Sequence, residues 1–186
     1  MVSVGYFQQM AFNNAWANHR LQKVCCELSQ DEFEAERTNF FPSLKTTLNH
    51  ILVVDWFYVD ALEGGTLGPA AWSSEEPCIS AIDLKVQQEA VDRRLIKLCS
   101  TLTDTVSAKI VALHRETRVD HEPMHRVLLH LFHHQTHHRG QAHAMLAGTQ
   151  IKPPQIDEFF MAGEAPLRAA EFSELGFRET EIWPPD

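Results

Sequence analysis

The most constraining feature of this sequence is a histidine-rich segment, residues 128–146, which reads LLHLFHHQTHHRGQAHAML and holds six of the 11 histidines. Histidine is a middling helix former, so helix propensity does not explain the cluster. Apolar residues nevertheless recur with helical spacing, and Pro123 suits a first helical turn because its missing N–H is not needed there. We therefore predict a helix from about Pro123 to Gly148, with His134 and His138 toward its apolar side.

His134 and His138 are one helical turn apart, close enough for both rings to bind one metal ion. His133 and His137 have the same spacing but point the other way, so we predict that this pair is solvated. A zincin-type protease is disfavoured, because its H-E-x-x-H motif needs a glutamate where this chain has Gln135. Two histidines alone leave two other interpretations open: adventitious binding of metals at a surface, and core imidazoles that bond their neighbours.

A second helix is predicted for residues 43–63, between an N-capping serine and a pair of glycines. On a helical wheel, His50 falls near the middle of the apolar face of this helix. A buried imidazole without a partner costs about 1–3 kcal/mol, so this ring needs a hydrogen bond or a metal. A tyrosine or a backbone carbonyl would serve, but one metal shared with His134 and His138 would satisfy all three rings. We predict a three-histidine metal site at His50, His134 and His138.

The composition argues against several classes of protein. The formal net charge is −9 and the pI is about 5.6, which disfavours nucleic acid as a partner because phosphate binding needs a basic surface. We find no signal peptide at the N-terminus and no apolar stretch long enough to span a membrane. Two of the four cysteines are adjacent and no C-x-x-C motif occurs, so we predict reduced thiols and a cytoplasmic location.

The remaining segments predict further helices and a short β-ribbon before the histidine-rich helix. We expect one domain, 1–186, of the all-α class: a four-helix bundle with short C-terminal helices. The ribbon is predicted from residues 109–113 and 117–119, and it must pack on the bundle because two strands alone are marginally stable. The other predicted helices cover residues 5–28, 78–103, 157–161 and 164–175.

The predicted helix at residues 78–103 contains both apolar and charged positions. The residues expected to face the core are Ile79, Ile82, Val86, Ala90, Leu95 and Leu98. The charged residues are expected to form a solvated side; they are Asp92, Arg93, Arg94 and Lys97.

Three short motifs give the sequence a specific resemblance. They are Trp16-Ala17-Asn18, the T-L-N-H-I-L-x-x-D of residues 47–55, and the H-x-x-x-H-R-G-Q of residues 134–141. With these motifs the chain resembles the DinB (damage-inducible, DinB/YfiT-like) family of metal-dependent four-helix proteins. The resemblance implies a bundle with a long crossover connection, often a homodimer, and metal-binding histidines at His50, His134 and His138. It implies little about the substrate.

Three histidines leave at least one coordination position for water or a substrate, which is the arrangement of catalytic metal sites. Imidazole suits several transition metals, and we expect Zn²⁺ first and Ni²⁺ second. Asp55 and Gln141 are candidates to orient the ligands, with a surface carboxylate as the alternative for Asp55. No cysteine is expected to coordinate, and no protein nucleophile can be assigned from the spacing.

These features predict a metal-dependent hydrolase or transferase that acts on a small molecule. Proteins of the wider superfamily include thiol-dependent S-transferases, so the resemblance suggests a low-molecular-weight thiol as one possible substrate. The alternative function is a non-enzymatic metal-binding stress-response protein, in which the metal fixes the bundle or is sensed by it.

Overall fold

Four long helices form the frame of the molecule. The computed structural model describes residues 4–183, and its long helices are α1 (Val4–Cys25), α3 (Leu44–Leu62), α4 (Ala81–Ser100) and α6 (Met124–Leu146), with the short helix α2 (Gln30–Glu34) after α1. α1 packs against α4 and α6, and α3 packs against the same two helices. The connection from α1 to α3 therefore crosses the bundle, and the predicted four-helix bundle is confirmed. Within residues 4–183, none of the helices combines the length and apolar character that crossing a membrane requires.

One large apolar core fills the space between the long helices. Its buried members include Leu48 and Leu52 of α3, Leu95 of α4, and Leu128 and Leu131 of α6. Side chains at three- and four-residue spacing give each helix one apolar stripe. Because each fully buried leucine contributes about 1.5–3 kcal/mol relative to an exposed one, these stripes decide which helix faces meet.

Helix starts are set by hydrogen bonds that the sequence encodes locally. Ser43 Oγ accepts a hydrogen bond from the backbone N–H of Thr46 at 3.0 Å at the start of α3. Ser80 Oγ accepts one from Asp83 at 3.1 Å at the start of α4. Each cap satisfies a backbone N–H that has no partner inside the helix, and such caps contribute about 1 kcal/mol each. The predicted cap at Ser43 is thus observed, whereas α4 begins at 81 instead of 78.

The first half of α4 packs with a different face from the predicted one. Ile79, Ile82 and Val86 are 58–70% exposed, whereas Asp92 is 3% exposed. There the inward stripe is offset by two residues from the predicted one, which is about 200° on a helical wheel, whereas the predicted core residue Leu95 is 1% exposed. It consists of Leu84, Gln88, Val91, Leu95 and Cys99. The prediction followed the apolar residues at the start of this segment, but α4 buries the polar side chains of Gln88 and Asp92 in its core stripe.

A two-stranded antiparallel ribbon precedes α6. The short helix α5 (Asp104–Ser107) leads into β1 (Ile110–His114), which pairs with β2 (Val119–Pro123). Val111 and Leu113 are buried in the bundle core, and this packing stabilises a ribbon that would be marginal alone. The predicted ribbon is confirmed, but its second strand begins at Val119 instead of 117. Residues 115–118 form the turn, which is closed by a hydrogen bond from the Arg115 N–H to the Arg118 carbonyl oxygen at 2.8 Å.

The C-terminal segment forms a second apolar cluster against α1. It contains the helices α7 (Ala165–Leu175) and α8 (Glu179–Ile182), and α7 ends at Gly176, whose φ of +70° suits glycine. The predicted helix at 157–161 is wrong, because this stretch is a turn that inserts Phe159 into the cluster. The Phe159 ring lies 5.8 Å from that of Trp16 and 5.9 Å from that of Phe172.

Candidate metal centre

His50, His134 and His138 converge where α3 packs against α6. His50 lies on α3, and His134 and His138 lie one turn apart on α6. The Nε2 atoms of His50 and His134 are 3.0 Å apart, and one ring nitrogen from each of the three residues lies within 4.8 Å of the others. The structure thus brings together the three rings that the helical wheels place on facing sides. Metal binding by these rings stays a prediction.

The tautomer of His138 is set by a neighbour on the same helix. Its Nδ1–H donates a hydrogen bond to Gln141 Oε1 at 2.7 Å, which leaves the lone pair on Nε2. The backbone oxygen of Gln141 accepts a hydrogen bond from Asn39 at 3.3 Å, which connects this turn to the segment before α3. His134 differs, because its Nδ1 is buried without a hydrogen-bond partner within residues 4–183.

The three rings are held in the neutral form that metal binding requires. Burial, followed by the neighbouring His138, lowers the pKa of His50 to about 4. Burial lowers the pKa of His134 to about 3, with further contributions from His138 and His50. Burial also lowers the pKa of His138, although its hydrogen bond with Gln141 acts in the opposite direction. Near pH 7 all three rings therefore offer a lone pair.

This donor set fits a divalent transition metal. Two imidazole nitrogens on one tetrahedral metal are about 3.3 Å apart, close to the 3.0 Å between His50 Nε2 and His134 Nε2. Within residues 4–183 no carboxylate or thiol belongs to the group. The four cysteines of the chain are free and lie elsewhere. The cluster therefore offers three neutral nitrogen atoms that could hold a metal ion, and it carries no charge of its own.

The histidine cluster opens into a cavity of about 590 Å³. His50 and His134 line it, and the Phe41 ring packs on His50 with centroids 4.3 Å apart. Most of the wall is aromatic or aliphatic. The other lining residues are Phe40, Thr46, Val53, Val54, Phe57, Tyr58, Trp72, Glu75, Arg115 and His130. A cavity of this size and character suits a small molecule.

One wall of the cavity depends on a glycine. The 3₁₀ turn Gly68–Trp72 approaches the ribbon so closely that a Cβ on Gly68 would lie 3.1 Å from the Cβ and the carbonyl oxygen of His114. Gly68 also has a φ of +53°, which disfavours other residues. The turn places the Trp72 ring 4.8 Å from the Phe57 ring at the edge of the cavity.

Asp55 is buried, so the alternative interpretation of this residue as a surface carboxylate is wrong. Its hydrogen-bond partners are glutamines and not the histidine rings that it was a candidate to orient. The residue is 1% exposed, and its Oδ2 accepts hydrogen bonds from Gln88 at 2.6 Å and from Gln135. Burial, together with the nearby charge of Asp92, raises the pKa of Asp55 well above its usual range. The neutral acid is therefore favoured at this position.

Asp55 belongs to a buried polar network that the sequence analysis missed. Arg139 Nη1 donates to Asn14, and also to Asn18 and Gln135 at 3.1 Å each. The Asp92 carboxylate accepts hydrogen bonds from three amides at 3.0–3.2 Å. The network consists of Asn14, Asn18, Asp55, Gln88, Asp92, Gln135 and Arg139, so it joins all four long helices. Asn14 and Asn18 accept hydrogen bonds from Arg139 and donate hydrogen bonds to Asp92, so they connect the buried cation to the buried anion.

A sequence signal for this network exists. On three helices, two polar residues one turn apart interrupt the apolar stripe: 14 and 18 on α1, 88 and 92 on α4, and 135 and 139 on α6. Polar side chains inside such a stripe need partners, because an unpaired buried polar group costs about 1–3 kcal/mol. Gln135 and Arg139 directly follow His134 and His138 in the chain, so the network also fixes the rotation of α6 that aims the two rings.

Fold and site together define a class of protein: a four-helix bundle with a crossover connection and three converging histidines that could hold a metal ion. The family model of the DinB family matches residues 1–169. The chain belongs to the DinB family, and the predicted family is confirmed.

Individual relatives agree with this assignment. The chain is similar to Protein DinB of Bacillus subtilis (strain 168), with 25% identity over 147 residues that cover 72% of this chain and 80% of the relative. It is also similar to the crystal structure of a DinB-like protein from Bacillus cereus ATCC 10987, with a TM-score of 0.64 and 18% identity, covering 80% of this chain and 94% of the other. At that identity, the structural likeness shows the fold alone.

Proposed function

We propose that this protein is a metal-dependent enzyme, a hydrolase or a thiol S-transferase, that acts on a small molecule at the three-histidine site. The observation that carries the proposal is the position of His50 and His134, which line a cavity of about 590 Å³ instead of being sealed in the core. Structural metal sites are usually closed by four protein ligands, whereas catalytic sites keep a position for a substrate. Three histidines beside a cavity of small-molecule size support the catalytic type.

The residues of the site have distinct roles in this proposal. His50, His134 and His138 hold a divalent metal through neutral ring nitrogens, and Gln141 keeps the proton of His138 on Nδ1. When bound, the metal supplies Lewis acidity, which lowers the pKa of a water or a thiol at the site. Phe41 packs on His50 and His138, with ring centroids at 4.3 and 5.6 Å, and shields the ligands from bulk water.

Zn²⁺ is the first candidate for the metal and Ni²⁺ the second, since imidazole nitrogen suits both. The test is the metal content of tag-free protein purified without a metal-affinity column. We expect close to one equivalent of zinc or nickel per chain, and the variant His134→Ala should lose it. His133→Ala is the matched control, because His133 is exposed and its Nδ1 lies 2.7 Å from the Leu129 carbonyl oxygen. Equal losses in both variants would contradict the assignment of the ligands.

The catalytic part of the proposal has a separate test. The metal-loaded protein is screened with small esters and amides, and with electrophiles in the presence of low-molecular-weight thiols. Activity should disappear on chelation, return on addition of the metal, and be absent from His134→Ala. A protein that binds one metal per chain but turns over none of these compounds would instead support a non-enzymatic metal-binding role in the stress response.

We further propose that the protein is a homodimer. Ile79, Ile82 and Val86 form an exposed apolar row at the start of α4, and a second copy would cover such a row. Light scattering should give twice the 21.2 kDa of one chain at micromolar concentration. A mass of one chain would contradict the proposal. Ile82→Asp should dissociate the dimer, whereas Gln87→Asp, also exposed on α4, should leave it intact if the row is the interface.

We also propose a cytoplasmic location. All four cysteines are free thiols, and Cys25, Cys78 and Cys99 are buried. Free thiols are typical of reducing compartments. Fractionation of the source cells tests the proposal, and recovery of the protein outside the cytoplasm would contradict it.

A further inference from the structure

Arg115 places a positive charge in the wall of the cavity that the histidine cluster opens into. The residue follows β1 directly, in the turn of the ribbon, and it lines the same cavity as His50 and His134. Its guanidinium lies over the Phe57 ring, 4.7 Å from the centroid, and 5.8 Å from the centroid of Tyr58. Stacking on two aromatic rings holds the planar cation in a fixed orientation.

The hydrogen-bonding capacity of Arg115 is only partly used within the described residues. Its Nε donates to Asp120 at 3.3 Å, and its Nη2 donates to the Tyr58 hydroxyl at 3.4 Å. Both distances are long for bonds of a charged donor. Asp120 is held more closely by Arg118, at 2.8 Å. A guanidinium has five N–H donors, so Arg115 can bind a further anion while Asp120 stays paired with Arg118.

The rest of the cavity restricts what can accompany this anion. Next to Arg115 the wall is made of Phe57, Tyr58 and Trp72, which suit an apolar body. The other formally charged residue of the lining is Glu75, an exposed carboxylate. Because the lining contains one cation and one anion, the cavity favours a ligand with a single negative charge over a dianion.

Arg115 lies on the same side of the cavity as a row of rings that leads to the candidate metal ligands. The ring centroids of His134 and His130 are 6.3 Å apart, and those of His130 and Tyr58 are 5.2 Å apart. A molecule along this row would contact Arg115 at one end and reach the histidine cluster with the other.

We propose that the substrate of this site is an amphipathic monocarboxylate, with an apolar or aromatic body and a carboxylate that the Arg115 guanidinium binds. This inference rests on the proposed function, since it names the substrate class of the same site. Arg115 is a binding residue that sets specificity, and the reacting group lies at the opposite end of the molecule, near His50 and His134.

The test uses 4-phenylbutanoate as the probe and 4-phenylbutanamide as its neutral match, with binding measured by isothermal calorimetry. The wild type should bind the carboxylate at least about tenfold more tightly than the amide, since a hydrogen bond between two charged groups is stronger than one to a neutral acceptor. Carboxylates also bind metals, so the measurement is made on the protein as purified and again after chelation. Equal affinity for the two probes after chelation, or no binding of the carboxylate at millimolar concentration, would overturn the inference.

Variants locate the anion site. Arg115→Gln should weaken 4-phenylbutanoate binding by about tenfold or more, and Arg115→Lys should retain part of it, because lysine keeps the charge and loses the planar fork. Arg126→Gln is the control: Arg126 pairs with Glu122 and not with Asp120, its side chain is 69% exposed, and it lies outside the cavity lining. Loss of binding in Arg126→Gln equal to that in Arg115→Gln would also overturn the inference.

The same samples separate this inference from the proposed function. Arg115→Gln should keep the metal content of the wild type, and His134→Ala should keep the preference for the carboxylate over the amide. Unchanged carboxylate binding in Arg115→Gln, with full metal content, would contradict the proposed substrate class and leave the metal-dependent function standing. A wild-type protein that prefers the carboxylate but holds no metal would contradict the metal-dependent function and leave the anion site standing.

Discussion

The Nδ1–H of His138 donates a hydrogen bond to Gln141 Oε1 at 2.7 Å, one turn further along α6. This bond decides which nitrogen of the ring keeps its lone pair. Histidine ligands of metals almost always have such a partner, because it fixes the tautomer and the ring orientation. Gln141 is the sequence-predicted orienting residue that the structure places beside a ligand candidate, whereas Asp55 belongs to the buried network.

Replacing Gln141 should weaken metal binding without removing it. In Gln141→Ala the His138 ring loses its acceptor, and we expect a 10- to 100-fold loss of metal affinity, which is about the effect of removing an outer hydrogen-bond partner. Competition with a chromogenic chelator measures this affinity. The control is Gln87→Ala, at an exposed position of α4, which should bind metal like the wild type. An unchanged affinity in Gln141→Ala would show that the tautomer of His138 needs no partner.

The visible spectrum of the Co²⁺-substituted protein should show no sulfur-to-metal charge-transfer band before a thiol is added. Within residues 4–183 the histidine group includes no cysteine, and Cys25, Cys78 and Cys99 are buried elsewhere. A band that appears on titration with a small thiol would support the S-transferase form of the proposal. A band present from the start would mean that a protein cysteine coordinates. A spectrum that does not change at millimolar thiol would contradict the S-transferase form of the proposal and leave the hydrolase form.

Removing Arg139 should strongly destabilise the fold. Its guanidinium is buried, and burial lowers its pKa to about 10, so the side chain stays charged at neutral pH. Arg139→Ala would leave the Asp92 carboxylate without its offsetting cation, and breaking a buried pair costs about 3–5 kcal/mol. Urea denaturation measures this change in the free energy of unfolding. Arg126→Ala on the same helix is the control, since its pair with Glu122 is exposed and should contribute less than about 1 kcal/mol.

Replacing Asp55 by asparagine should flatten the pH dependence of stability. Burial raises the pKa of Asp55 above its ordinary value, so the folded protein keeps a proton that the unfolded chain releases above about pH 4. The free energy of unfolding should therefore fall as pH rises through this window, by about 1.4 kcal/mol per pH unit for one proton.

Asp55→Asn removes this contribution while its side-chain oxygen can still accept from Gln88 and Gln135. The variant should gain stability relative to the wild type between pH 5 and pH 7, as measured by urea denaturation in the presence of a chelator. Asp83→Asn, at an exposed position of α4, provides the comparison. If the free energies of unfolding of Asp55→Asn and the wild type differ by the same amount at pH 5 and at pH 7, Asp55 is already ionised in the folded protein at pH 5, which would contradict the prediction.

Helical periodicity was enough to predict the main elements and the sides to which the histidines point. The hydrophobic effect acts on whole faces of a helix, so the positions of apolar residues report which side is buried before any partner is known. On α6 this placed His134 and His138 inward and His133 and His137 outward, and the last two are exposed. The same rule failed on α4, where Gln88 and Asp92 occupy the buried stripe and Ile82 and Val86 do not.

The sequence by itself determined the four long helices, the cap at Ser43, the family and the pair of segments that carry the candidate metal ligands, because these depend on local spacing and local hydrogen bonds. Only the tertiary structure decided that α3 and α6 are neighbours and that Arg115 of the ribbon faces the same cavity as His50. It also decided that Arg139 and Asp92 share one buried network. The physical reason is that hydrogen bonds between buried polar groups depend on distance and direction, which are fixed only when all four helices have packed.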